Sequence, residues 1–140
     1  MNFFFDNMVP PAVPQYLQGL SRDHVVVHKK QKFAQDTDDD VWISELADEG
    51  HWTIVTIDFK ILSQPHVASA LESAGHTAIF LTKGWGNLSI EDLSWKYPKA
   101  WWLILSAVEK RIGRNSWYVL GPTSSKLKLH NVQPANQART

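Results

Sequence analysis

Four aspartates, Asp36, Asp38, Asp39 and Asp40, fall within five positions of this 140-residue chain, directly ahead of Val41 and Trp42. Two other aspartates each end an apolar run: Asp6 follows NFFF and Asp58 follows IVTI. Carboxylates brought within a few Å of one another repel strongly, and a divalent cation relieves that repulsion. Hard oxygen ligands suit Mg²⁺ or Mn²⁺, which keep several of their waters. A site of this kind orients a water, helps deprotonate it and stabilises the charge that builds on a phosphodiester. Asp6, Asp39 and Asp58 are therefore the candidate metal-ligating and catalytic set. Within the cluster, Asp39 lies three, four and seven positions before Trp42, Ile43 and Leu46, the apolar stripe of the following helix. Asp40 aligns with Ile43 and Ala47 and is the alternative to Asp39. Asp36 and Asp38 read as solvated. Each acid also has a structural reading: Asp6 can start a turn with Asn7, Asp58 can cap the next turn, and Thr37 can open a capping box before the helix.

The elements that must position these acids alternate along the chain. NFFF is a buried strand, and a proline-delayed helix comes next over about 13–20. HVVVH is a second strand, with a polar loop, KKQKFAQDTD, after it. A helix then runs from Asp40 to Glu49 and ends at Gly50. WTIVTIDF is a β-branched strand ending at Asp58. QPHVASALESAG is a helix opened by Pro65 and closed by Gly75. TAIFLT is a strand, GWGNLS a turn, and Ser89 caps the helix SIEDLSWKYP. A separate helix, KAWWLILSAVEKR, stops at Gly113, and SWYVLGP is a late strand. Strands that are continuously apolar have both sheet faces covered. The expected fold is an α/β three-layer sandwich with a mostly parallel sheet. Its domain spans residues 1–122, followed by a polar, frayed tail over 123–140. In such a sheet, sites form beyond the carboxyl ends of the strands, where Asp6, Asp58 and the start of the helix at Asp39–Asp40 would meet.

Composition narrows the function classes. Fourteen basic residues balance fourteen acidic ones, and there is no cysteine, so thiol and disulfide chemistry are absent. No apolar run is long enough to span a bilayer, and the first residues lack the form of a signal peptide, so a cytoplasmic location is expected. The charge is segregated. Residues 36–49 hold seven acids and no base, whereas after residue 95 Glu109 alone faces eight lysines and arginines. An acidic centre beside a basic flank suits a metal-dependent enzyme acting on a polyanion. The six histidines lack helical metal-ligand spacing; His24 and His28 read as strand-edge residues rather than zinc ligands.

FFFDN followed by proline and a helix, then TDDDVWISELADEG, IVTIDFKI and ALESAGHTAIFLT, resembles the PIN-like domain of VapC-type toxins. The late segment GWGNLSIEDLSWKYPKAWWLIL resembles a compact subgroup, and the likeness covers most of residues 2–120. The resemblance implies a Mg²⁺- or Mn²⁺-dependent ribonuclease, the toxin of a toxin–antitoxin pair, with Asp6, Asp39 and Asp58 as its acids. Two departures stand out: Asn7 and Lys60 occupy positions where many relatives carry further acids. Lys60 either contacts a phosphate or neutralises Asp58. Lys60, Lys83 and Lys96 are the candidate substrate-binding residues, with Lys29, Lys30, Lys32 and Lys99 as further basic candidates. Trp85 and Trp95 are candidates for stacking on bases. Trp101, Trp102, Leu103, Leu105 and Val108 form core or a stripe facing an antitoxin or a homodimer partner. The competing expectation is a catalytically degenerate scaffold that binds RNA or protein. A receiver- or nucleotide-binding-like module is weaker, because no glycine-rich loop follows the first strand.

Overall fold

The computed structural model describes residues 1–111, 115–124 and 126–129. Its centre is a six-stranded sheet in the order β2-β1-β3-β4-β5-β6. The strands are β1 (Asn2–Phe5), β2 (Val25–His28), β3 (Thr53–Thr56), β4 (Thr77–Leu81), β5 (Trp117–Leu120) and β6 (Lys128–Leu129). The first five pair in parallel and β6 joins β5 antiparallel. The chain leaves β1 first to one side, for β2, and then crosses back to β3. The β1–β3 boundary is thus the topological switch point, where a crevice opens beyond the strand ends.

Successive strand side chains point to opposite faces, and both faces are covered. Phe3, Phe5, Val55, Ile79 and Tyr118 pack on one face against α1 (Ala12–Leu20) and α6 (Ile90–Arg111). Phe4, Ile54, Ala78, Phe80 and Trp117 pack on the other against α3 (Asp39–Glu49), α4 (Lys60–Ser63) and α5 (Pro65–Ala74). This is the expected three-layer α/β sandwich. Trp101 of α6 is fully buried against Phe3 at 4.6 Å between ring centroids, and its Nε1 donates to Ser21 Oγ at 2.7 Å. Trp42 of α3 stacks on Phe4 at 4.7 Å on the opposite face. Gly75 ends α5 in the left-handed region at φ 74°, a conformation that favours glycine.

Several elements differ from their expected form. The segment after β2 is not all loop: α2 (Lys29–Lys32) is a helical turn, closed by a capping box between His28 and Gln31. Strand β3 ends at Thr56, two residues short of Asp58. The two helices expected on either side of Pro98 are one helix, α6. Proline removes one backbone donor and strains an interior turn, but Tyr97, Ala100 and Trp101 are buried on both sides of it. That burial outweighs the lost hydrogen bond. Thr37 is not the cap of α3; Asp38 holds that position, with no side-chain capping bond. The Thr37 N–H is instead committed to Ala34 O. Lys128 and Leu129, expected in a frayed tail, pair with Val119 and Tyr118. The helix stop expected at Gly113 and residues 130–140 of the tail lie outside the described residues.

Candidate metal and phosphate site

Asp6 comes directly after β1. Its N–H continues the ladder to Val55 O of β3 at 3.0 Å, so the carboxylate is held at the switch point. Asp6 is only 5% exposed. Its Oδ1 accepts from Asn7 N–H at 2.7 Å and its Oδ2 from the Thr56 hydroxyl at 3.0 Å. Burial pushes its carboxyl above the usual range. The two hydrogen bonds and the Lys29 ammonium oppose that rise, and the neighbouring charge of Asp39 adds to it.

Asp39 opens α3, whose Trp42, Ile43 and Leu46 are buried as the helical stripe requires. Its Oδ1 accepts from Trp42 Nε1 at 2.9 Å, so the buried indole fixes the carboxylate at the helix start. Asp39 and Asp40 are both half-buried, and Asp36 and Asp38 are exposed. All four line a groove of about 450 Å³ with Gln64, His66 and Val67 of the α5 side.

Asp58 is placed differently. Its Oδ1 accepts the backbone N–H of Lys60 at 2.9 Å, closing the turn that starts α4. Its own N–H donates to Thr56 Oγ1 at 2.9 Å. It thus reaches Asp6 through Thr56, backbone to hydroxyl to carboxylate. Among the described residues, no group of three or more acids, histidines or cysteines lies close enough to hold a metal. The structure brings Asp6 and Asp39 into mutual electrostatic reach, and Asp58 stands one hydrogen-bonded relay away.

Among the basic candidates, the exposed Lys60 meets Asp58 through its backbone N–H, and the ion pair found among the described residues is Lys32–Glu49. Lys83 is exposed in a 3₁₀ turn (Lys83–Asn87) beyond the end of β4. Lys96, on α6, lies with its Nζ 5.3 Å from the exposed Trp95 ring. Trp85 is buried: its Nε1 donates to Leu120 O at 3.0 Å and its ring meets Tyr97 at 4.6 Å. It is therefore not presented for stacking. Trp102 is exposed, at 55%, beside the exposed Leu20.

The histidines at strand ends serve the scaffold. His28 is buried; its Nδ1 accepts from Lys30 N–H and its Nε2 meets Val9 O at 2.7 Å, which selects the tautomer protonated at Nε2. His76 is buried in the same manner, accepting from Trp52 N–H and facing Ile43 O. Burial depresses the pKa of both.

Two residues matter more than their place in the sequence indicates. Thr56 joins Asp6 to the Asp58 backbone; its signal is a hydroxyl in an apolar run, which needs a partner when buried. Lys29 is one basic residue among several in the sequence, yet it is 4% exposed and sits at the acids.

The donor set is oxygen throughout, and Asn7 Oδ1, next to Asp6, is a buried acceptor with no hydrogen-bond partner. Mg²⁺ is commonly held by one or two carboxylates, its own waters and substrate phosphates, so Asp6 and Asp39 fit a hydrated Mg²⁺ or Mn²⁺. No helix among the described residues is long and apolar enough to cross a membrane. No curated protein and no solved structure matched the chain. The family profile described as a PIN like domain matches residues 1–83, which carry β1 to β4 and all three aspartates. The chain belongs to the PIN-like domain family.

Proposed function

We propose that this PIN-like domain is a Mg²⁺- or Mn²⁺-dependent endoribonuclease, the VapC-type toxin of a toxin–antitoxin pair. The observation that carries the reading is the juxtaposition of a buried Asp6 with Asp39 at the switch point of the sheet. A buried carboxylate and a half-buried one in electrostatic reach of each other, with the orphaned Asn7 Oδ1 next to Asp6, favour a divalent cation. When bound, that cation would orient a water, help deprotonate it and stabilise the charge building on the phosphodiester. The chain's own residues do the rest. Asp6 and Asp39 hold the cation, Thr56 and Trp42 orient them, and Asp58 fixes Thr56 and the α4 turn. Lys60, Lys83 and Lys96 are the proposed phosphate contacts. Exposed Trp102 is the proposed contact for an antitoxin or a second copy.

The test is cleavage of single-stranded RNA with Mn²⁺ or with EDTA. Cleavage that needs metal and disappears in both Asp6→Asn and Asp39→Asn supports the reading. Cleavage that survives either substitution contradicts it. A second reading, a non-catalytic scaffold that binds RNA or a partner, is favoured by the commitment of Asp58 to its own turn. It predicts RNA binding without cleavage and no heat on adding Mn²⁺.

A further inference from the structure

Parallel pairing sets Phe5 of β1 opposite His28 of β2, so the residues next after the two strands, Asp6 and Lys29, emerge side by side at one edge. Lys29 is 4% exposed, which is rare for lysine. Its Nζ donates to Thr37 O at 3.3 Å and lies 5.9 Å from the Trp42 ring centre. The same indole donates to Asp39 Oδ1. The ammonium is therefore built in beside the site: its charge acts on Asp6, and it lies against the indole that holds Asp39.

We propose that Lys29 is the charge-setting residue of the site: a fixed internal cation that weakens metal binding and strengthens binding of the anionic RNA backbone. The proposal rests on the metal-dependent reading of this domain. Two carboxylates and one ammonium carry a single negative charge, and a divalent cation turns that into a single positive charge. Without Lys29 the loaded site is neutral and offers a phosphodiester no net attraction. Because the charge is buried, salt screens it little. It thus acts on substrate across the mouth of the crevice, which exposed lysines at higher ionic strength do not.

The test compares the full-length wild type with Lys29→Gln, which keeps a donor for Thr37 O, and Lys29→Arg, which keeps the charge. Mn²⁺ affinity is read by calorimetry. Affinity for a non-cleavable 2′-O-methyl oligoribonucleotide is read by anisotropy, in Mn²⁺ and in EDTA. Lys29→Gln is expected to tighten Mn²⁺ and loosen the oligonucleotide, each by about tenfold, with Lys29→Arg near wild type in both. Two affinities that move in opposite directions are not the signature of a general structural role. If both fall together, or Mn²⁺ affinity is unchanged, the proposal is overturned. If the wild type binds no Mn²⁺, the metal-dependent reading fails, and the EDTA arm decides for Lys29. A tenfold loss of oligonucleotide affinity there upholds its charge role, and unchanged affinity overturns it.

Discussion

Replacing Asp6 with asparagine should stabilise the metal-free protein at neutral pH while removing its chemistry. Asp6 is 5% exposed and its carboxyl is raised, above all by burial. The hydrogen bonds survive the change. The new amide oxygen can accept from Asn7 N–H, and the Thr56 hydroxyl can turn to accept from the new amide. What disappears is a poorly solvated charge and its repulsion by Asp39, set against the loss of attraction to Lys29. Replacing a whole buried ion pair by apolar groups is commonly neutral to stabilising by about 1–4 kcal/mol, and removing one partner of a pair is destabilising. Among the described residues Asp6 is in no ion pair, so its replacement strands no direct partner and the first case is the nearer guide. Two hydrogen bonds to the anion place Asp6 near the low end, at about 1 kcal/mol, or about 3 °C in Tm for a chain of this size. The sign depends on pH. Below the unfolded value of 3.8 both states are protonated and the variant has no advantage. As pH rises past 3.8 the unfolded carboxyl ionises first, and the cost to the wild type grows until pH passes the folded value. Thermal melts in EDTA at pH 7 and pH 3.5 check this. An Asp6→Asn protein that is equally destabilised at both pH values would refute the reasoning. Mn²⁺ should reverse the order at pH 7, because ligand binding stabilises only the wild type.

Trp42→Phe keeps the stacking on Phe4 but removes the donor to Asp39 Oδ1. It should cost about 1–2 kcal/mol and weaken Mn²⁺ binding, as urea titration and calorimetry would show; unchanged Mn²⁺ affinity would deny Trp42 its orienting role. Asp58→Asn should leave Mn²⁺ affinity within about twofold, since a change of that size is well under 1 kcal/mol, whereas a loss as deep as that of Asp39→Asn would make Asp58 a ligand. Trp101→Ala should cost about 3–5 kcal/mol, because a fully buried ring and its bond to Ser21 are lost together; denaturant midpoints measure it. His28 and His76 have depressed pKa values, so the unfolded chain takes up protons first as pH falls through 6.5. Stability should fall from pH 7 toward pH 5, with a shallower slope for His76→Gln, and equal slopes would show that His76 carries no part of the effect.

The layered fold was legible because its signals are local. NFFF, TIVT and TAIFL are apolar enough to be buried on both faces, and Pro65 and Gly75 bracket α5 as their backbone preferences require. The continuity of α6 was not legible, since proline is a local signal of a break and only tertiary burial of Tyr97 and Trp101 overrides it. The site was legible in part. Periodicity singles out Asp39 as the acid nearest the buried face, and the structure ties it to Trp42. The length of β3 is set by its pairing with β4, so sequence alone does not reveal that Asp58 lies past the ladder and serves its own turn. Lys29 was indistinguishable from its neighbours Lys30 and Lys32. Its side chain is held by Thr37 O and lies against Trp42, tertiary contacts that composition does not encode.

The functional reading turns on Asp6 and Asp39 forming one site for a divalent cation. Calorimetric titration of the wild type, Asp6→Asn and Asp39→Asn with Mn²⁺ at pH 7 puts that to the test. One bound ion is expected in the wild type and none in either variant. A wild type that gives no heat, or an Asp39→Asn protein that binds like the wild type, would contradict it.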